Sequence, residues 1–133
     1  MQLEILMFRN ILPPAAAALA LLGAPTAAYA HAKLVSSAPA ANATATKVTK
    51  VELKFNEKLI ASTVKTELVM TGMPGMTDHP PMKIPYTSAM GKDGKSMTLM
   101  LKRPLVPGTY KVKWSAAGAD THRMGSEFSF TVK

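Results

Sequence analysis

The stretch "GTYKVKWSA", Gly108–Ala116, sets Tyr110, Val112 and Trp114 on one side and Lys111 and Lys113 on the other. That period of two is the mark of a β-strand with one buried face. The same pattern recurs on either side. "SEFSFTVK", Ser126–Lys133, alternates Phe128, Phe130 and Val132 with Ser129 and Thr131. "SMTLMLK", Ser96–Lys102, offers Met97, Leu99 and Leu101. "TVKTELVM", Thr63–Met70, offers Val64, Thr66, Leu68 and Met70. "KVTKVELKF", Lys47–Phe55, places Val51, Leu53 and Phe55 in step and Val48 out of step. "KLVSSAP" and "MKIPYT" are weaker strand candidates. Turn signals separate these runs at Ala38-Pro39, Asn56-Glu57-Lys58, Lys92-Asp93-Gly94 and Pro107-Gly108. No helical period of useful length occurs between His31 and Lys133. About seven short strands in one uninterrupted segment predict a single all-β domain, a small antiparallel sandwich or Greek-key barrel.

Composition narrows the function classes. The chain has 133 residues and a formal charge of +8, from 16 Lys+Arg against 8 Asp+Glu. The charge is spread out, and no RNP box, helix-turn-helix pattern or zinc-finger spacing accompanies it, so sequence-specific nucleic-acid binding is not expected. There is no cysteine. That removes disulfides, thiolate nucleophiles, iron–sulfur clusters and the blue-copper centre, whose strong ligand is a thiolate. It also suits an oxidising compartment.

The first thirty residues read as a targeting segment. An apolar run, Ile11–Leu22, follows Arg9, and Ala28-Tyr29-Ala30 gives the small-x-small pattern of a cleavage site. The run falls short of the ~20 residues of a membrane span, and Pro13 and Pro14 disfavour a membrane helix. The expectation is a secretory signal peptide over 1–30, cleaved after Ala30, and a mature domain over 31–133. Glu4 is unusual in such a leader, and Met7 in "MFRN" is an alternative start. Cleavage makes His31 the first residue. A terminal histidine offers a free amine and an imidazole on one residue, and so chelates a metal as no internal histidine can.

Two groups of residues carry metal chemistry. "MTGMPGMTDHPPM", Met70–Met82, contains Met70, Met73, Met76, His79 and Met82 among glycines and prolines that rule out a helix. It reads as a surface loop between strands. One reading is a methionine-rich contact surface. The sharper one is a Cu(I) site, because soft, neutral thioethers select Cu(I) and an imidazole can complete the set. The second group is His31 with Asp120 and His122 of "ADTH", Ala119–His122. Alternate residues of an extended segment face one side, so Asp120 and His122 are expected to converge there. Amine, imidazole and carboxylate suit Cu(II). Glu57 is a candidate outer ligand or an acceptor behind the ligands. The three histidines of the chain all fall in these two groups.

With these residues in view, the chain resembles the copper resistance protein C (CopC) family, in its two-site form with a methionine loop. The resemblance rests on "HAKLVSSAPA", "ELKFNEKL", "LVMTGMPGMTDHPPMK", "PGTYKVKWSAAGADTH" and "FSFTVK". It implies a seven-stranded Greek-key barrel or sandwich, cupredoxin-like or Ig-like in shape. It implies Cu(II) held by His31, Asp120 and His122, with Glu57 also proposed, and Cu(I) held within Met70, Met73, Met76, His79 and Met82 at the opposite end. It implies a periplasmic, non-enzymatic copper carrier or buffer working beside a CopD-like inner-membrane importer and periplasmic copper proteins. Gly118, Ala119, Arg123 and Gly125 depart from the usual family pattern around the Cu(II) residues. The alternative is a copper-dependent oxidative enzyme built on the N-terminal histidine chelate. Against it, Asp120 would occupy the position that oxygen chemistry needs open, and an aromatic content of 6% leaves little for a sugar platform.

Overall fold

A computed structural model describes residues 31–76 and 79–133. The expected leader over 1–30 lies outside the described residues. Two sheets face each other. One runs in the order β1 (Leu34–Ala38), β3 (Lys50–Phe55), β7 (Ser96–Leu101), β6 (Tyr86–Met90). The other runs β2 (Thr44–Ala45), β9 (Arg123–Val132), β8 (Gly108–Ala117), β4 (Lys65–Gly72), β5 (Met82–Lys83). The pairings β3–β7 and β4–β8 join strands distant in sequence, as in a Greek key rather than a meander.

The alternating residues form the core. Val51, Leu53 and Leu99 from one sheet meet Leu68, Tyr110, Val112 and Phe130 from the other, all essentially without solvent contact. Each such side chain contributes about 1.5–3 kcal/mol by leaving water. Phe55 meets Trp114 edge-on across the sandwich, ring centres 5.0 Å apart. Tyr110 stacks on its cross-strand partner Phe130 at 5.6 Å.

Six of the seven strands of five residues or more fall on the predicted runs; the run "MKIPYT" instead divides into the two-residue β5 and the start of β6, which continues to Met90, and β2 is a short strand outside every predicted run. β2 pairs parallel to β9, a departure from an all-antiparallel sheet. Two paired residues carry no readable period, which is why sequence alone passes over them. The β2 segment runs along the outer edge of β9, with Asn42 N–H donating to Ser129 O and Thr131 N–H to Ala43 O. This covers an otherwise open strand edge.

β8 positions both candidate sites. Its ten residues extend ~30 Å at about 3.4 Å each. Its first residues pair with Gly72 at the base of the methionine segment, and its last, Ala117, pairs with Arg123 beside His122.

Candidate metal centres

The β8–β9 connection holds Asp120 and His122. Gly118, buried at the end of β8, leaves no room for a side chain: a Cβ there would fall on the carboxylate of Glu57. Thr121 N–H donates to Gly118 O at 3.0 Å, closing a tight turn. Thr121 itself sits at φ 62°, a left-handed conformation rare for a β-branched residue and of a kind that concentrates at functional sites. Asp120 and His122 therefore do not converge through an extended backbone, as the sequence suggests. The turn brings them together instead: His122 N–H donates to Asp120 Oδ1 at 3.1 Å, and His122 Nδ1 lies 3.8 Å from Asp120 Oδ2.

His31 reaches this turn from the other end of the chain. Its Nδ1 is 2.6 Å from Asp120 Oδ2, and its ring centre is 5.3 Å from that of His122. One donor atom from each of His31, Asp120 and His122 lies within 4.8 Å of the others. Partial burial pushes the Asp120 carboxyl up, but the His31 hydrogen bond, the His122 N–H and both imidazoles together hold it below its ordinary value. The arrangement is a carboxylate flanked by two imidazoles, open to solvent on the histidine side.

Two residues that sequence reading did not single out hold this geometry. Asn56 accepts from Lys33 N–H at 2.8 Å and donates to His31 O at 3.1 Å, so its amide extends the sheet ladder to the chain segment carrying His31. Thr63, in a short 3-10 turn at Ala61–Thr63, accepts from Ala117 N–H at 2.9 Å. Arg123, noticed in the sequence only as a departure from family pattern, locks the same corner: its guanidinium donates to Thr63 O at 2.8 Å and Ser115 Oγ at 2.7 Å. A lone Asn in a turn and a lone Arg on a strand edge carry no pattern that would announce such contacts.

Glu57 does not join the three-residue group. Its Oε1 is buried against Gly118 with no hydrogen-bond partner among the described residues. An unpaired buried carboxylate oxygen is costly, and this one lies against the turn that carries Asp120 and His122.

The methionine segment is only partly a loop. Met70 completes β4 and pairs with Met82 of β5. Met70 is 3% exposed and packs in the core, whereas Met73, Met76 and Met82 are 41%, 55% and 54% exposed. Between them, Met73 and Met76 exchange both backbone hydrogen bonds, at 2.8 and 2.9 Å, around Pro74-Gly75. Gly75 sits at φ +77°, as the third residue of a Pro-Gly turn requires. Directly paired residues present their side chains on one face, so this two-residue turn sets two thioethers side by side. His79 Nδ1 lies 2.8 Å from Pro80 O. An Nδ1–H donated to that carbonyl leaves Nε2 as the lone-pair nitrogen, and Nε2 is buried with no partner among the described residues.

Comparison with known proteins adds the family context. Residues 34–133 match the sequence profile of the CopC domain. Copper resistance protein C of Escherichia coli is 40% identical over 112 residues, 84% of this chain and 89% of that one. Copper resistance protein C of Xanthomonas campestris pv. juglandis is 44% identical over 110 residues, 83% of this chain and 86% of that one. The crystal structure of PcoC, a methionine-rich copper resistance protein from Escherichia coli, superposes with a TM-score of 0.71 at 39% identity, over 78% of this chain and all of that one.

Proposed function

The chain belongs to the CopC family, and we propose that it is a copper-binding protein of copper resistance or homeostasis, handling the metal as cargo in the periplasm. In this reading the processed chain binds Cu(II) through His31, Asp120 and His122. The observation that carries it is the convergence of those three donors within 4.8 Å, from chain positions 89 residues apart. Two imidazoles, a carboxylate and, after cleavage, the His31 amine form the nitrogen-rich set that Cu(II) prefers. Glu57, behind the turn, supplies a further ligand or a negative charge beside the ion.

Cu(I) is held at the other end of β8. The exposed thioethers of Met73, Met76 and Met82 form the reachable set, and His79 Nε2, buried and without a partner among the described residues, joins them once its ring turns outward. Met70 is the buried member and joins only if its side chain leaves the core. Loss or gain of one electron by the bound copper changes which donor set it prefers, and so favours its movement between sites. The exchange partners we envisage are a CopD-like inner-membrane importer and periplasmic copper proteins.

The test is a copper titration of the processed protein in each oxidation state. Cu(II), followed by electron paramagnetic resonance, should fill one site of mixed nitrogen and oxygen ligation that His122→Ala removes. Cu(I), followed by competition with a chromophoric chelator, should fill one site that His122→Ala leaves intact. A single site serving both oxidation states would refute the reading.

A further inference from the structure

Among the described residues, seven large apolar side chains are exposed, and four of them, Met73, Met76, Met82 and Val106, stand at the methionine end of the sandwich. Scattered apolar groups need no explanation, but a cluster marks a contact surface. A groove of about 350 Å³ opens beside two of them, Met82 and Val106. Met70 and Tyr110 form its buried floor, and Met82, Ile84, Leu105 and Val106 its walls. It has room for one or two large side chains.

The walls are fixed before anything binds. Tyr110 O–H donates to Val106 O at 2.6 Å, Leu105 N–H to Val48 O at 2.9 Å, and Ile84 N–H to Leu68 O at 2.9 Å. Pro85 and Pro104 stiffen the two lips. A groove already formed spares a partner the ordering penalty of shaping it.

The rim is charged on one side only. Lys102 and Arg103 line it, and neither makes an ion pair among the described residues. Some strand lysines are matched, as in Lys83–Glu67, Lys113–Glu67 and Lys111–Glu127; what sets Lys102 and Arg103 apart is that they are adjacent and both line an apolar groove. An apolar groove under an unmatched cationic rim complements an acidic segment with an apolar anchor.

We propose that this groove docks an acidic peptide segment of a partner protein, whose apolar anchor residue inserts between Met82 and Val106. Met82 belongs both to the groove and to the thioether set, so a segment seated there lies against the Cu(I) ligands. The segment therefore belongs to the protein that exchanges Cu(I) with the loop. That last identification rests on the Cu(I) reading; the docking itself does not.

The experiment uses copper-free, isotope-labelled protein and a ten-residue synthetic peptide of aspartate and glutamate around a central Leu-Met pair, followed by backbone amide shifts in low salt. Saturable shifts confined to Ile84, Leu105, Val106 and Tyr110 are expected. Replacing the Leu-Met pair by serines, or pairing Lys102→Glu with Arg103→Glu, should weaken binding at least about tenfold, as loss of about 1.4 kcal/mol does. Equal binding by a lysine version of the peptide would overturn the proposal. So would shifts spread over Lys50, Lys54 and Lys65, or binding to phosphatidylglycerol vesicles with none to the peptide. Met73→Leu with Met76→Leu, neither of which lines the groove, should weaken Cu(I) binding by about 100-fold or more and leave peptide binding unchanged, which separates failure of the docking site from failure of the copper site.

Discussion

The two candidate metal sites, one at each end of β8, are built in different ways. At the His31 end the donors are far apart in sequence and close in space. They depend on a network, Asn56, Thr63, Arg123 and Gly118, that belongs to the fold. At the methionine end the candidate donors lie within 73–82 of the sequence; a Pro-Gly turn sets Met73 and Met76 side by side, and Met82 is held by the pairing of β5 with β4. One site is assembled by tertiary structure; the other is carried on a short ribbon. The first should therefore respond to changes in the scaffold and the second mainly to changes in its own side chains.

The largest expected effect tests the contrast directly. Adding one glycine before His31 of the processed protein replaces the chelating amine by an amide. Cu(II) affinity should fall by more than about 100-fold, beyond the range for losing a supporting contact, while Cu(I) affinity stays the same. Competition titrations in both oxidation states give the answer, and equal losses would break the distinction. Next in size, Met73→Leu with Met76→Leu keeps the turn and the apolar volume but removes two sulfurs. Cu(I) affinity should drop by about 100-fold or more with no change in the Cu(II) resonance spectrum.

Acid sharpens the same comparison. Amine and imidazole must lose protons to bind a metal and thioethers need not. Between pH 7 and pH 5 the Cu(II) affinity should fall by at least about tenfold and the Cu(I) affinity by much less, read from the same competition assay.

Arg123→Met is a smaller probe of the scaffold. It removes both bonds to Thr63 and Ser115 without touching a ligand, and should cost Cu(II) affinity about tenfold with altered hyperfine splitting. A change in melting temperature with unaltered splitting would make Arg123 a stability residue only.

The smallest effect is on the apo protein. The Asp120 carboxyl is held below 3.8, so its ionised form favours the folded state. That contribution is fully present above pH 3.8 and fades as the pH falls through the lower folded value. Asp120→Asn should lower the melting temperature at pH 6 and make progressively less difference as the pH drops below 3.8.

Much of the fold was legible because alternation reports burial directly: Tyr110, Val112 and Trp114 fall on the core face that their spacing predicts. The candidate donors stand out in the sequence too, since histidine and clustered methionine are chemically conspicuous. The geometry between them was not. Nothing in "ADTH" announces a left-handed Thr121, and Met70 belongs to two sequence patterns at once, a strand's inner face and the methionine cluster, of which its burial follows the first. Asn56 and Arg123 were invisible as scaffold because their partners, Lys33 and Thr63, lie 23 and 60 residues away.

The contact between His31 and Asp120 also bears on how the chain comes apart. Among the described residues β1 is an edge strand, paired with β3 alone and interrupted by an irregularity between Leu34 and Ser36. Such a strand can peel away while the rest of the sandwich stays intact. A metal bridging His31 to the β8–β9 turn would act as a clasp on that strand. Peeling would then require releasing the ion, and local opening would rise in free energy with metal concentration. Slowed amide exchange in Leu34–Ala38, with unchanged exchange in the β4–β5 ribbon, would be the signature of the closed clasp.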